Sequence, residues 1–264
     1  MNDDVAREYL ERIGVGRPPF ADAAALRALH RAHQVAVPFE NLSIHLGEPI
    51  SLAEADLADK IVRRRRGGFC YELNGLFALL LEALGAQVTR LAARVYGGAQ
   101  SGPPRPGPPF DHLALAVRLP DGTGPWLADV GFGRHAVYPL ALDGRGEQED
   151  PGGRFRLAET ADADLDLLRD GELQYRIERR ERALADFVPT CWWQQTSPSS
   201  HFTQSTVCSR LTPAGRLSIS GRTLIETSGE SRTEEPLATD AELLAAYRDY
   251  FGIILDRVPA TPVG

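Results

Sequence analysis

Lysine is nearly missing from this chain: Lys60 is the only one, and arginine makes up the rest of the 29 basic residues. Against 36 acidic residues the formal net charge is −7, which argues against a general polyanion binder. We read the arginine bias as compositional, not functional. Cysteine is scarce as well. Cys70, Cys191 and Cys208 are odd in number and far apart, so no disulfide framework is expected. No CxxC or clustered Cys/His spacing points to zinc. A reducing cytoplasm with no bound metal is the expected setting. No apolar run reaches ~18 residues, and the opening MNDDVAREYL is acidic and polar, so neither a membrane span nor a signal peptide is expected. No internal repeat or disordered domain is visible. What remains is a globular composition, 43% apolar and 25% charged over 264 residues, enough for a full core without staples.

The most informative stretch is Arg63 to Phe77, RRRRGGFCYELNGLF. Leu73, Leu76, Phe77, Leu80, Leu81 and Leu84 recur at helical spacing, which predicts a helix over 71–84. Cys70 then lies at its N-terminus, after a turn made by Gly67 and Gly68. Free N–H groups and the positive end of the helix dipole favour an anion there, and a thiolate is one. The glycines would let a substrate come close to the backbone. This pattern suits a nucleophile; a buried structural cysteine beside a turn is the other reading.

Upstream, residues 4–13 form an amphipathic helix and Pro18-Pro19 a turn. Ala23 to Val35 is a second helix, N-capped by Asp22. His30 and His33 lie on its apolar face, as hydrogen-bonded core histidines rather than metal ligands. Leu52 to Val62 is a third helix, with Ser51 as its cap. Glu40, inside the apolar segment VPFENL, needs a partner if buried. One arginine of the run at Arg63 can supply it while the others stay solvated.

After Gly85 the periodicity changes. Gln87 to Tyr96 alternates as a strand, and Gly97 to Pro109 is a Gly/Pro-rich loop. His112 to Leu119 and Pro125 to Val130 read as a hairpin about residues 120–124. Folding it places His112 and Asp129 at one end, within a residue or two of each other. A carboxylate bonded to one imidazole nitrogen fixes the tautomer of the other. Two alternatives stay open here: Asp129 caps the turn at Gly131, and Asp111 competes for His112.

Further strands are expected at 154–157, 165–168 and 173–179, continuing the hairpin into a small antiparallel sheet or barrel. The loop at 143–153 is expected to be solvated and mobile. Pro189 to Phe202 is aromatic and polar together, as a pocket wall or a packed connection. Three more strands, at 204–209, 216–220 and 222–227, precede a last helix over 241–250. Cys191 and Cys208 are expected to be packing thiols.

The segments Val37-Pro-Phe-Glu-Asn-Leu42, Arg66-Gly-Gly-Phe-Cys-Tyr-Glu72, His112-Leu113, Asp129-Val-Gly-Phe132 and Thr196-Ser-Pro-Ser-Ser-His-Phe202 together resemble the arylamine N-acetyltransferases. They occur in family order over nearly the whole chain. The resemblance implies an α+β fold: an N-terminal helical bundle (1–85), a central antiparallel β-barrel (86–190) and a C-terminal α/β lid (191–264). Its cysteine core would be related to papain-like and transglutaminase-like enzymes. Cys70, His112 and Asp129 match the catalytic triad, and Glu40 with Arg66 an ion pair bracing the nucleophile turn. Phe39, Phe132 and Phe202 match acceptor-pocket positions, and Tyr71 a position beside the nucleophile. Gly131 and Phe132 match the entry of coenzyme A. The implied reaction is a ping-pong transfer from acetyl-CoA, through acetyl-cysteine, to an arylamine, hydrazine or arylhydroxylamine, as in xenobiotic metabolism. The alternatives are an amide synthase closing a macrolactam from a carrier-bound polyketide thioester, or a thiol hydrolase or peptidase. No nucleic acid or membrane partner is implied, and both a monomer and a homo-oligomer are compatible with the resemblance.

Overall fold

In the computed structural model, which describes residues 1–18, 22–97 and 104–260, the first two helices start where the sequence supplies caps. Asn2 Oδ1 accepts the Val5 N–H at 2.9 Å and opens α1 (Asp3–Arg12). Asp22 Oδ1 accepts the Ala25 N–H at 2.7 Å and opens α2 (Ala23–Ala36), as expected; Pro38 follows its end. Parts of the Pro18-Pro19 turn and of the Gly97–Pro109 loop lie outside the described residues.

The third helix differs from expectation. After β1 (Phe39–Glu40) and α3 (Leu42–Leu46), α4 covers only Glu54–Leu57 and widens into a π-helical stretch, Ala58–Arg63. Ser51 is not its cap: Ser51 Oγ accepts the Ala53 N–H at 3.2 Å and closes a turn ahead of the helix. The π-helical stretch carries Lys60 into the interior, where Nζ meets Glu72 Oε1 at 2.7 Å. α5 (Cys70–Ala83) follows, and Glu72 Oε2 reaches back to accept the Phe69 N–H at 3.2 Å, closing its first turn. Phe69, Leu73, Phe77 and Leu80 of this segment pack with Tyr9, Leu29 and Ile61 in the first apolar cluster.

The chain then builds an eight-stranded antiparallel sheet. Its strands are β2 (Gln87–Val95), β3 (His112–Arg118), β4 (Trp126–Ala128), β5 (Leu140–Ala141), β6 (Gln148–Asp150), β7 (Gly153–Glu159), β8 (Leu165–Arg169) and β9 (Glu172–Arg182). They are ordered β5-β4-β3-β2-β9-β8-β7-β6, a sheet curled into a nearly closed barrel. Its two edges meet through a side chain. Gln148 Oε1 accepts the Ala141 N–H at 2.7 Å, and Gln148 Nε2 donates to Ala141 O at 3.0 Å. The amide thus supplies the hydrogen bonds a neighbouring strand would make. The expectation of a mobile loop over 143–153 is corrected: it contains β6, and Asp150 accepts the N–H groups of Val137, Tyr138 and Gly152 at 2.7, 3.0 and 2.7 Å.

A short 3₁₀ turn (Leu184–Phe187) leads into α6 (Val188–Thr196) and α7 (His201–Gln204), so the aromatic segment is helical. The second sheet contains β10 (Val207–Leu211), β11 (Gly215–Ser220), β12 (Thr223–Ser228) and β13 (Ser231–Pro236), packed against α8 (Asp240–Phe251). β13 was not expected because SRTEEP is polar and wholly exposed, with no alternation to read. The fifth strand is β1, with Phe39 opposite Ser209 and Glu40 opposite Cys208. Among the described residues no helix is long and apolar enough to cross a membrane.

Candidate active site

Cys70 is the first residue of α5 and is 3% exposed. The two glycines before it are required by contacts within the protein. A Cβ on Gly67 would lie 1.9 Å from Pro38 O, and one on Gly68 would lie 2.6 Å from Glu72 Oε2. The turn is braced by Arg66, which is buried, while Arg63, Arg64 and Arg65 are exposed. Arg66 Nη2 lies 3.0 Å from Glu40 Oε1 and its Nη1 lies 3.2 Å from Glu48 Oε2. Glu40 Oε1 also accepts the Gly67 N–H at 3.3 Å, and Oε2 accepts the Leu42 N–H at 2.6 Å. Burial opposes ionisation of Glu40, but the charges of Lys60 and Arg66 outweigh it and hold the carboxyl below its usual range.

The β-hairpin delivers the second group. β3 and β4 pair Leu115 with Ala128 and Val117 with Trp126. Continuing that register one step sets Asp129 level with Ala114, two residues along from His112 and on the same face. This is a diagonal cross-strand pair. His112 Nε2 donates to Asp129 Oδ2 at 2.7 Å, with both residues buried. The competing partner is excluded: Asp111 Oδ1 accepts from Gln194 Nε2 of α6 at 2.7 Å. The turn-capping role of Asp129 coexists with the pair, since Oδ1 accepts the Gly131 N–H at 3.0 Å.

Two residues that the sequence did not flag complete the carboxylate's surroundings. Asn74 Nδ2 donates to Asp129 Oδ1 at 2.8 Å and to Leu113 O at 2.6 Å, while its Oδ1 accepts the Val130 N–H at 2.9 Å. Asn74 is one helical turn beyond Cys70, a spacing that marks it as a same-face neighbour. The Tyr175 hydroxyl, from β9, donates to Asp129 Oδ2 at 2.9 Å; no local pattern could have located it. His30 is a buried core histidine as expected: Nδ1 donates to Val137 O at 2.9 Å and Nε2 accepts the Asp129 N–H at 3.1 Å. Burial of Asp129 favours its neutral form, but the charge and hydrogen bond of His112 prevail and hold the carboxyl well below its usual range. The carboxylate occupies Nε2 of His112, so Nδ1 is the nitrogen left for proton exchange.

The hairpin end presses on α5. A Cβ on Gly131 would lie 2.8 Å from Cys70 Cα, and the Leu113 N–H points at the Cys70 sulfur. The expected lowering of the thiol pKa is corrected. Burial pushes it well above the usual value, Asp111, Cys191 and Asp129 add to the rise, and the Leu113 N–H opposes it. Cys191 and Cys208 are buried, unpaired thiols.

The aromatic residues fall into two groups. Phe132 packs on His112, with ring centroids 5.1 Å apart, and on Tyr175 at 4.9 Å. Phe202 stands 6.2 Å from Phe39 and 5.5 Å from Phe69. Gly133 links the groups, since a Cβ there would lie 3.9 Å from the Phe39 ring. Tyr71 is fully buried, and its hydroxyl donates to Phe110 O at 2.8 Å and Asp111 O at 3.1 Å. Among the described residues no group of three or more His, Cys, Asp or Glu is placed to hold a metal ion.

A helical segment opening on a buried cysteine, a nearly closed antiparallel barrel and a second sheet define a mixed helix-and-sheet protein. An N-acetyltransferase family model matches residues 22–259. An arylamine N-acetyltransferase of Mycolicibacterium smegmatis is 35% identical over 94% of this chain and 91% of its own length. The structure of the Mycobacterium marinum arylamine N-acetyltransferase matches with a TM-score of 0.86 at 35% identity, over 94% of this chain and 92% of that one. A structure of the same M. marinum enzyme in complex with CoA matches with a TM-score of 0.85 at 34% identity, over the same shares. The chain belongs to the arylamine N-acetyltransferase family.

Proposed function

We propose that this protein transfers an acetyl group from acetyl-CoA to an arylamine, hydrazine or arylhydroxylamine by way of acetyl-Cys70. The observation that carries the reading is the 2.7 Å bond from His112 Nε2 to Asp129 Oδ2, at a hairpin end packed on the first residue of the nucleophile helix. The bound CoA of the M. marinum relative supports the donor.

In this mechanism the Cys70 sulfur attacks the thioester carbonyl and its proton goes to His112 Nδ1. Burial disfavours a lone thiolate here, so the anion exists only beside imidazolium, which Asp129 stabilises across the ring. The first N–H groups of α5 have no intrahelical partner and are suited to stabilise the oxyanion. The carbon–sulfur bond to coenzyme A breaks, His112 returns the proton to the leaving thiolate, and acetyl-Cys70 remains. The acceptor nitrogen then attacks, His112 takes its proton, and Cys70 leaves and is reprotonated. An arylamine, an arylhydrazine or an arylhydroxylamine is uncharged near neutral pH and suits a site walled by Phe39, Phe132 and Phe202, which offer no counter-charge. Three unpaired thiols suit a reducing compartment such as the cytoplasm.

The test is a rapid-mix measurement of free CoA without acceptor. A burst equal to the enzyme concentration is expected, and Cys70→Ser should abolish it with an unchanged circular dichroism spectrum. Absence of a burst in the unaltered protein would sink the covalent route.

A further inference from the structure

Two polar side chains of the aromatic segment are buried, Gln194 and Ser200, each 1% exposed. Burying an amide and a hydroxyl is unfavourable unless each finds partners. Both do, and the bonds form one chain. Gln194 Nε2 donates to Asp111 Oδ1 at 2.7 Å, Ser200 Oγ donates to Gln194 Oε1 at 2.5 Å, and Ser200 Oγ accepts the Phe202 N–H at 3.2 Å. The chain of bonds runs from the residue before His112 to the backbone of Phe202. Its direction follows from its first member. A carboxylate oxygen accepts, so Asp111 takes the amide nitrogen, which turns Gln194 Oε1 toward Ser200. The Ser200 hydroxyl then donates its proton to the amide and keeps a lone pair for the Phe202 N–H.

α7 is a single turn (His201–Gln204), too short to hold itself by its own backbone bonds. Side chains set its place. Besides Ser200, Thr203 Oγ1 donates to Ser197 O and to Ser200 O, both at 2.8 Å, and Asn41 Nδ2 donates to Phe202 O at 2.9 Å. The Phe202 ring is thereby fixed beside Phe39 and Phe69, the latter being the residue before Cys70. The 2.7 Å bond between His112 and Asp129, and the bonds of Asn74 and Tyr175 to that carboxylate, do not pass through α6 or α7. The chain of bonds can therefore be broken at Gln194 without unpairing His112 from Asp129.

We propose that Gln194, with Asp111 and Ser200, is a positioning residue for the acceptor. It holds the Phe202 ring where an aromatic ring on the reacting nitrogen packs, and so sets how strongly ring-bearing acceptors are preferred over bare ones. The assignment rests on the acyl-transfer reading and deepens it by naming what decides acceptor preference.

The test uses hydrazine and phenylhydrazine, which share the reacting nitrogens and differ by one ring, with Gln194→Met, Ser200→Ala and the double variant. Methionine keeps roughly the length of glutamine and removes the amide. Both acceptors are served by the same acetyl-enzyme, so the burst of CoA should be unchanged in size. In Gln194→Met the ratio of kcat/KM for phenylhydrazine to that for hydrazine is expected to fall about tenfold, mainly through KM, as for partial loss of an apolar pocket wall. The double variant should be no worse than Gln194→Met, because both residues act through one chain of bonds. An unchanged ratio overturns the assignment, as do equal losses for both acceptors or additive losses in the double variant. Where Gln194→Met fails to fold, Ser200→Ala carries the same expectation. If the unaltered protein gives no burst, the acyl-transfer reading fails separately. The positioning is then judged by hydrogen exchange of the Phe202 and Thr203 amides: faster exchange in Gln194→Met supports it, and unchanged exchange overturns it.

Discussion

The Tyr175 hydroxyl and the His112 ring share one oxygen, Oδ2 of Asp129, at 2.9 and 2.7 Å. A phenol donated from β9 therefore sets the electron density available to an imidazole held by β3. Tyr175→Phe removes one donor from a buried carboxylate, a loss of about 1.5–3 kcal/mol for a bond to a charged group. We expect thermal unfolding to record that loss and kcat/KM to fall about tenfold, with the acidic limb of its pH profile moved upward. An unmoved pH profile would make Tyr175 a packing residue only.

Gly131 is held against α5 by the absence of a side chain. An added Cβ would stand 2.8 Å from both Cys70 Cα and Asn74 Nδ2, so Gly131→Ala must push the hairpin end off α5. Overpacking of this kind costs about 1–3 kcal/mol. Acetyl transfer should fall by a larger factor than stability accounts for, because the ring is displaced from the sulfur. Activity and urea unfolding of the same preparation test this.

Arg66 and Glu40 form a buried pair that also binds the backbone of the glycine turn before Cys70. Removing one partner strands the other charge, at about 3–5 kcal/mol. Arg66→Met should lose that much in urea denaturation, and Arg66→Met with Glu40→Gln together should lose less than the single change. Equal losses would place the cost in packing.

The reactivity of Cys70 should depend on its proton acceptor. Burial raises the thiol, so alkylation by iodoacetamide near neutral pH requires His112 to take the proton. His112→Gln should slow alkylation at pH 7 by about a hundredfold and move its titration to the alkaline side of the usual thiol range. An unchanged rate would show that the sulfur ionises without the ring.

Stability should fall on mild acidification. Burial lowers His135 to about 4 and His33 to about 3, and lowers His30 as well, whereas in the unfolded chain each titrates near 6.5. Between those values the unfolded state binds protons that the folded state refuses. Stability is therefore full above about pH 6.5 and is lost as pH falls toward 4. His135 alone accounts for about 3 kcal/mol across that window. Asp129, held low, adds its own loss only below about pH 4. Urea midpoints at pH 7.5 and 5 measure the slope, and equal midpoints contradict it.

The glycine turn, the helix it opens, the caps at Asp22 and the His112–Asp129 hairpin were all legible by eye, because each depends on residues close in sequence or on a two-residue period. The order of motifs also sufficed for the family. Other features needed coordinates. Ser51 looked like a cap, but the widened turn at Ala58–Arg63 is set by burying Lys60 against Glu72, a long-range pair. β13 carries no apolar face. Tyr175 and Gln194 read as ordinary residues of their segments until the barrel curls and α6 settles beside Asp111. Sequence alone singled out one sulfur, one ring and one carboxylate. Only the tertiary structure decided what surrounds them, the phenol on the carboxylate and the amide between Asp111 and Ser200, because burial and pairing are properties of neighbours that the chain brings together from far apart.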